Sequence, residues 1–119
     1  MDRDTRAAIH LYSGMIEMEA KTLEDHPEKW DEVISAAVSM IEIVRAAENS
    51  IPPRGHRQLQ MHLDLIRLGA GTLRDVPADP ETIMDRARTI QKLCGRIREY
   101  LQEQDEQEKE RTRAYYQRN

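Results

Sequence analysis

The segment from Trp30 to Ala47, WDEVISAAVSMIEIVRAA, is the feature that most constrains how this chain can fold. Its composition is typical of one helix, and its polar residues follow one another at steps of four, four and three: Asp31, Ser35, Ser39 and Glu42. Apolar residues cover most of the remaining helix surface. Such a helix must be buried on several sides, so we expect Trp30, Ile34 and Ile41 to lie in a core or at a dimer interface.

Composition predicts an all-α fold. A chain of 119 residues is long enough for a single packed domain. Aromatic residues make up only 4% and phenylalanine is absent, while residues that favour helices are abundant. We therefore expect a four-helix bundle-like domain with a long C-terminal helix, in a homodimeric assembly.

Prolines and capping residues predict where the helices begin and end. Pro27 favours the first turn of a helix, and Asp79 followed by Pro80 combines a carboxylate cap with a proline suited to that turn. The predicted helices span about 4–24, 27–48, 56–73 and 80–101, and together they form domain 1–101. Residues 102–119 begin with QEQDEQEKERTR, which has no apolar residue. This segment is predicted to be either a charged helical extension or a disordered tail.

The fourth predicted helix carries apolar residues at alternating steps of four and three. This spacing is typical of a coiled-coil-like seam, formed here by Ile83, Ala87, Ile90, Cys94, Ile97 and Leu101. We interpret Cys94 as a small residue of that seam. A lone cysteine cannot form an internal disulfide, the N-terminus has no hydrophobic signal core, and no apolar run approaches a membrane span. A cytoplasmic protein without a membrane segment is expected.

The two halves of the chain differ in charge. Residues 1–50 contain five Lys or Arg and eleven Asp or Glu, whereas residues 51–119 contain thirteen and eleven. Arg88, Lys92 and Arg96 lie on one face of the fourth helix, where they form either a phosphate-contacting stripe or a solvated face attracted to the acidic first half. The overall net charge of −4 disfavours direct binding of nucleic acid.

Catalytic and metal-binding motifs are scarce. Arg57 and His62 are separated by four residues, which resembles the R-x4-6-H signature of HEPN-type ribonucleases, so a ribonuclease that uses this pair is one alternative. No glutamate is followed three residues later by histidine, as di-iron bundles require. We expect no enzyme, no cofactor and no metal ligand.

Surplus apolar surface suggests an interaction protein. The first three helices have apolar faces wider than one stripe, which a second copy or another protein would have to cover. The candidate partner-binding residues are Met40, Ile43, Arg88, Lys92, Leu93, Arg96, Tyr115 and Tyr116. A structural homodimer or adaptor without a regulatory role is a further alternative.

The general plan of the chain resembles a known family. Ile51-Pro52-Pro53 and a long last helix that begins at Asp79 and carries the Ile83, Ile90 and Ile97 seam make it similar to the small antiactivators of LuxR-type quorum-sensing regulators, of the QslA kind. The resemblance implies a regulator that binds a transcription factor and blocks its dimerisation or DNA binding. It assigns no role to any individual residue.

Overall fold

The structure is a computed structural model that describes residues 1–118, and it consists of four α-helices joined by short loops. The helices are α1 (Arg3–Asp25), α2 (Trp30–Ser50), α3 (Arg57–Asp75) and α4 (Pro80–Arg118). No β-strand occurs in residues 1–118. The predicted all-α bundle is confirmed. None of these helices is both long enough and apolar enough to cross a bilayer, as judged over the described residues.

The four helices form a square in which each helix packs against two others. α1 and α3 both contact α2 and α4, whereas among residues 1–118 neither diagonal pair, α1 with α3 or α2 with α4, is in contact. Glu17 pairs with Arg98, and the Gln91 amide donates to Glu24 at 3.0 Å, so α1 and α4 run antiparallel. With the short loops, this gives an up-down-up-down bundle.

Side-chain caps stabilise two of the four helix starts, Asp2 at α1 and Asp79 at α4, whereas Lys29 and His56 form no such cap at α2 and α3. The Asp79 carboxylate accepts a hydrogen bond from the Thr82 amide at 2.7 Å, which confirms the predicted start of α4. The predicted start of the second helix at residue 27 is wrong. Pro27 and Glu28 instead form a turn in which the Lys29 amide donates to the His26 carbonyl at 3.2 Å, and α2 begins at Trp30.

The core runs along the centre of the square. All six residues of the predicted α4 seam are buried, and Ile41 of α2 is buried as well. Trp30 and Ile34 are only half-buried, and Trp30 packs against the edge of the core. The wide apolar face of α2 is covered within the chain, because α2 lies between α1 and α3.

Most buried positions of α1 and α2 recur in α3 and α4 at a constant displacement of fifty residues. In α1 and α3 the equivalent buried pairs are Ile9 and Leu59, Ile16 and Ile66, Ala20 and Ala70, and Leu23 and Leu73. In α2 and α4 they are Val33 and Ile83, Ala37 and Ala87, Met40 and Ile90, Val44 and Cys94, and Ala47 and Ile97. Pro27 and Pro77 occupy equivalent places in the first and third loops. The bundle is therefore built from two similar helical hairpins, whose equivalent helices lie on diagonals.

α4 is much longer than the other helices. At 39 residues it spans about 58 Å, close to the 61 Å long axis of the molecule. Its last turns project past the start of α1. The C-terminal segment is thus a helical extension as far as Arg118, and Asn119 lies outside the described residues.

Candidate interaction surfaces

Three large apolar side chains project from the outer face of α1. Leu11, Met15 and Met18 recur at steps of four and three, and they are between 41% and 73% exposed. Ile9 and Ile16 lie on the opposite face of the same helix and are fully buried. We refer to Leu11, Met15 and Met18 as the α1 strip.

α3 carries an equivalent strip. Met61, Leu65 and Leu68 stand fifty residues after the members of the α1 strip and are between 46% and 65% exposed. We refer to these three residues as the α3 strip. Because α1 and α3 occupy diagonal corners of the bundle, the two strips point to opposite sides of the molecule.

A threonine ends each strip in the same way. The Thr22 hydroxyl donates to the Met18 carbonyl at 3.3 Å, and the Thr72 hydroxyl donates to the Leu68 carbonyl at 2.9 Å. These bonds to the carbonyl four residues earlier satisfy the hydroxyls within their own helix. The repeat thus extends from the core to the exposed surface.

The structure corrects the predicted contact face of α2. Met40 was expected to bind a partner, but it is fully buried in the core and no partner can reach it in this fold. Ile43 and Leu93, predicted for the same role, are half-buried and pack against the core. The surplus apolar surface lies on α1 and α3. The sequence indicates that the strips face outward, because each strip is about half a helical turn away from the buried positions of its own helix.

The predicted basic residues are exposed on the outer face of α4. Arg88 lies 3.9 Å from both the Glu24 and the Asp85 carboxylates, while Lys92 and Arg96 form no ion pair within residues 1–118. At the diagonal corner, the exposed carboxylate of Glu42 stands on α2 fifty residues before Lys92. The outer faces of α2 and α4 therefore carry opposite charges at this equivalent position.

The two tyrosines of the C-terminal extension are exposed. The ring centroids of Tyr115 and Tyr116 lie 5.6 Å apart in an edge-to-face arrangement. Tyr116 also lines a cleft of about 670 Å³ with Arg3, Lys109 and Arg113, at the place where α4 passes the start of α1. The structure keeps these tyrosines away from the core, as the sequence predicts.

The structure does not bring Arg57 and His62 together. Positions five apart lie about 140° apart around a helix. Arg57 is exposed on the first turn of α3, whereas His62 is 6% exposed. Burial and the nearby charge of Arg96 lower the pKa of His62. Within the described residues its Nδ1 atom has no hydrogen-bond partner.

Cys94 lies in the core, away from solvent. The Ser13 hydroxyl donates to the Cys94 carbonyl at 3.4 Å, and burial raises the pKa of the thiol to about 11. This thiol is protonated at neutral pH and is not a nucleophile. The residues that the structure describes include no group of three or more His, Cys, Asp or Glu side chains that could hold a metal ion.

Comparison of the chain with protein-family models, with curated proteins and with solved structures finds no match. The exposed surfaces described above are therefore what indicates a function, and the likeness to quorum-sensing antiactivators stays a prediction.

Proposed function

We propose that this chain is a non-enzymatic protein-interaction module that binds a partner protein through the α1 strip and the α3 strip. The observation that carries the proposal is the pair of exposed Leu and Met rows at steps of four and three. On an amphipathic helix this spacing forms the apolar ridge that packs against another helix or into a groove. Methionine side chains adapt to surfaces of varied shape.

The free energies of burial and of association favour a contact that uses more than one strip. Covering a Leu or Met side chain completely contributes about 1.5–3 kcal/mol. Because each strip side chain is already partly covered, one strip contributes on the order of 3–5 kcal/mol. Association costs about 4–15 kcal/mol in lost translational and rotational freedom. A stable complex therefore needs both strips, or one strip with polar contacts around it.

We further propose that the partner is a transcription regulator and that the chain acts as an antiactivator. In this mechanism the bundle occupies the surface that the regulator needs for its own dimerisation or for DNA binding. No chemistry is required. The net charge of −4 supports action on the regulator rather than on DNA.

The test is affinity capture from a lysate of the source cells, followed by mass spectrometry and measurement of stoichiometry. Wild-type chain is compared with Leu11→Glu and Leu68→Glu, and with Ser35→Glu and Gln60→Glu as controls at exposed polar positions. Circular dichroism verifies that each variant is folded. We expect one transcription regulator that is retained by the wild type and both controls but lost from the strip variants.

A gel-shift assay then tests the finer proposal. The wild-type chain should release the captured regulator from its DNA site, and the strip variants should not. Retention of the same proteins by all five chains would contradict the interaction module. Capture of a different class of protein through the strips would contradict the antiactivator only.

A further inference from the structure

The two strips have the same spacing, are located at the same height in the bundle and face opposite directions. α1 and α3 are parallel, so the residues of both strips follow one another in the same direction along the bundle. A second copy displaced sideways along the α1–α3 diagonal would set its α3 strip against the α1 strip of the first. No rotation is needed for Leu11 to meet the partner's Met61 and for Met18 to meet the partner's Leu68.

Charge selects this pairing over its alternatives. The half that contains α1 has five basic and eleven acidic residues, and the half that contains α3 has thirteen and eleven. Contact between two α1 strips would bring two strongly acidic halves together, and contact between two α3 strips would join two weakly basic ones. Contact between an α1 strip and an α3 strip joins opposite net charges.

The exposed charges beside the strips agree with this choice. Asp4 lies two turns before Leu11, while Arg57 lies about one turn before Met61 and Arg54 lies in the loop that precedes α3. None of these three side chains forms an ion pair within residues 1–118. At the other end of the strips, Asp25 and Asp75 are already paired, with Lys21 and Arg74.

We infer that the chain associates with itself head to tail, with the α1 strip of one copy packed on the α3 strip of the next. This contact uses different surfaces on its two sides, so every added copy leaves one strip of each kind uncovered. A heterologous contact related by translation does not close, and assembly can continue past the dimer. This arrangement is an open row, whereas the sequence predicts a homodimer, and in such a row self-association and partner binding compete for the same strips.

Sedimentation velocity of the purified full chain tests this inference at increasing protein concentration. We expect the wild-type mass to rise beyond that of a dimer, and to fall again at high salt because part of the attraction is electrostatic. Leu11→Glu and Leu68→Glu should each be monomeric alone. Mixed in equal amounts, they should form a heterodimer and nothing larger, since each retains one complementary strip.

A charge exchange tests the direction of pairing. Asp4→Lys and the double variant Arg54→Glu with Arg57→Glu should each weaken association several-fold, and an equal mixture of the two chains should restore it. Dimers formed by either strip variant alone would overturn the inference in favour of a symmetric contact. A wild-type chain that stays monomeric would also overturn it. Because the chain is tested alone, that failure leaves the proposed binding of another protein to be judged by its own capture experiment.

Discussion

Arg6, in the second turn of α1, pairs with Asp105 of α4, 99 residues later in the chain. The same guanidinium pairs with Glu108 and donates to the Met1 carbonyl at 2.7 Å, and its side chain is 6% exposed. This cluster lies where α4 leaves the bundle. It ties the start of the charged extension to the first helix, in a stretch that has no apolar seam.

Replacement of Arg6 should loosen the extension without unfolding the bundle. Arg6→Met keeps an unbranched side chain but removes the two ion pairs and the hydrogen bond to the Met1 carbonyl. A helix without tertiary contacts is marginal at this length, so we expect amide hydrogen exchange to rise several-fold beyond residue 105. Arg3→Met is the control, because Arg3 is exposed and forms no ion pair within the described residues. Unchanged exchange in Arg6→Met would show that the cluster does not hold the extension.

Replacement of two helical glycines by alanine should increase the stability of the fold. A Cβ atom added at Gly14 or at Gly95 would meet no atom within 4 Å. Alanine should therefore stabilise the fold by about 0.5–1 kcal/mol at each position, measured by urea denaturation. Gly55→Ala should act in the opposite direction, because Gly55 has a φ of 92° in the loop before α3. Destabilisation by Gly14→Ala would reveal a close contact that this packing lacks.

His62 should make the fold less stable in mild acid. Burial, and then the charge of Arg96, lower the pKa of the folded imidazole below the ordinary value of 6.5. Well above pH 6.5 both folded and unfolded His62 are neutral, so the group contributes no pH dependence there. As the pH falls below 6.5, the unfolded chain binds the proton more readily, and the free energy of unfolding decreases.

The measurement is chemical denaturation between pH 7 and about pH 5, a range in which histidine titrates. His62→Gln should show a smaller loss of stability over this range than the wild type. His26→Gln, at an exposed position in the first loop, is the matched control and should keep the wild-type slope. Equal slopes in all three chains would mean that folded His62 takes up a proton as easily as the unfolded chain.

Cys94 should report unfolding. Its thiol is fully buried, and burial raises its pKa to about 11. We expect a disulfide reagent to react at least a thousandfold more slowly with the folded chain than with the urea-unfolded chain, since only about 10⁻³ or fewer molecules of a stable domain are open at once. Fast labelling under native conditions would place Cys94 outside the core.

The sequence predicted the elements better than it predicted the surfaces. Asp79 and Pro80 determine the start of α4 through local capping, and the Ile83 to Leu101 seam follows from one periodicity, so both could be read without tertiary information. The burial of Met40 could not be predicted without tertiary information. A broad apolar face indicates several neighbours, but whether they belong to the same chain depends on which helices become adjacent, and α2 lies between α1 and α3.

The strips were missed for a related reason. Leu11 and Met15 are as hydrophobic as core residues. Only their angular position around the helix axis, relative to Ile9 and Ile16, shows that they belong to the outer face. The fifty-residue repeat is a further sequence signal that separates the two faces. Leu23 matches Leu73 and Pro27 matches Pro77 at that offset, and the repeat restricts the buried face to positions that agree in both hairpins.

The proposed contact surface consists of the α1 and α3 strips and excludes α2. Site-specific photocrosslinking in the source cells tests it most directly, with a photoreactive residue in place of Met18 or Leu68, and in place of Ser35 on the outer face of α2 as the control. We predict protein adducts from Met18 and Leu68 and none from Ser35. Adducts from Ser35 with none from either strip would contradict the account.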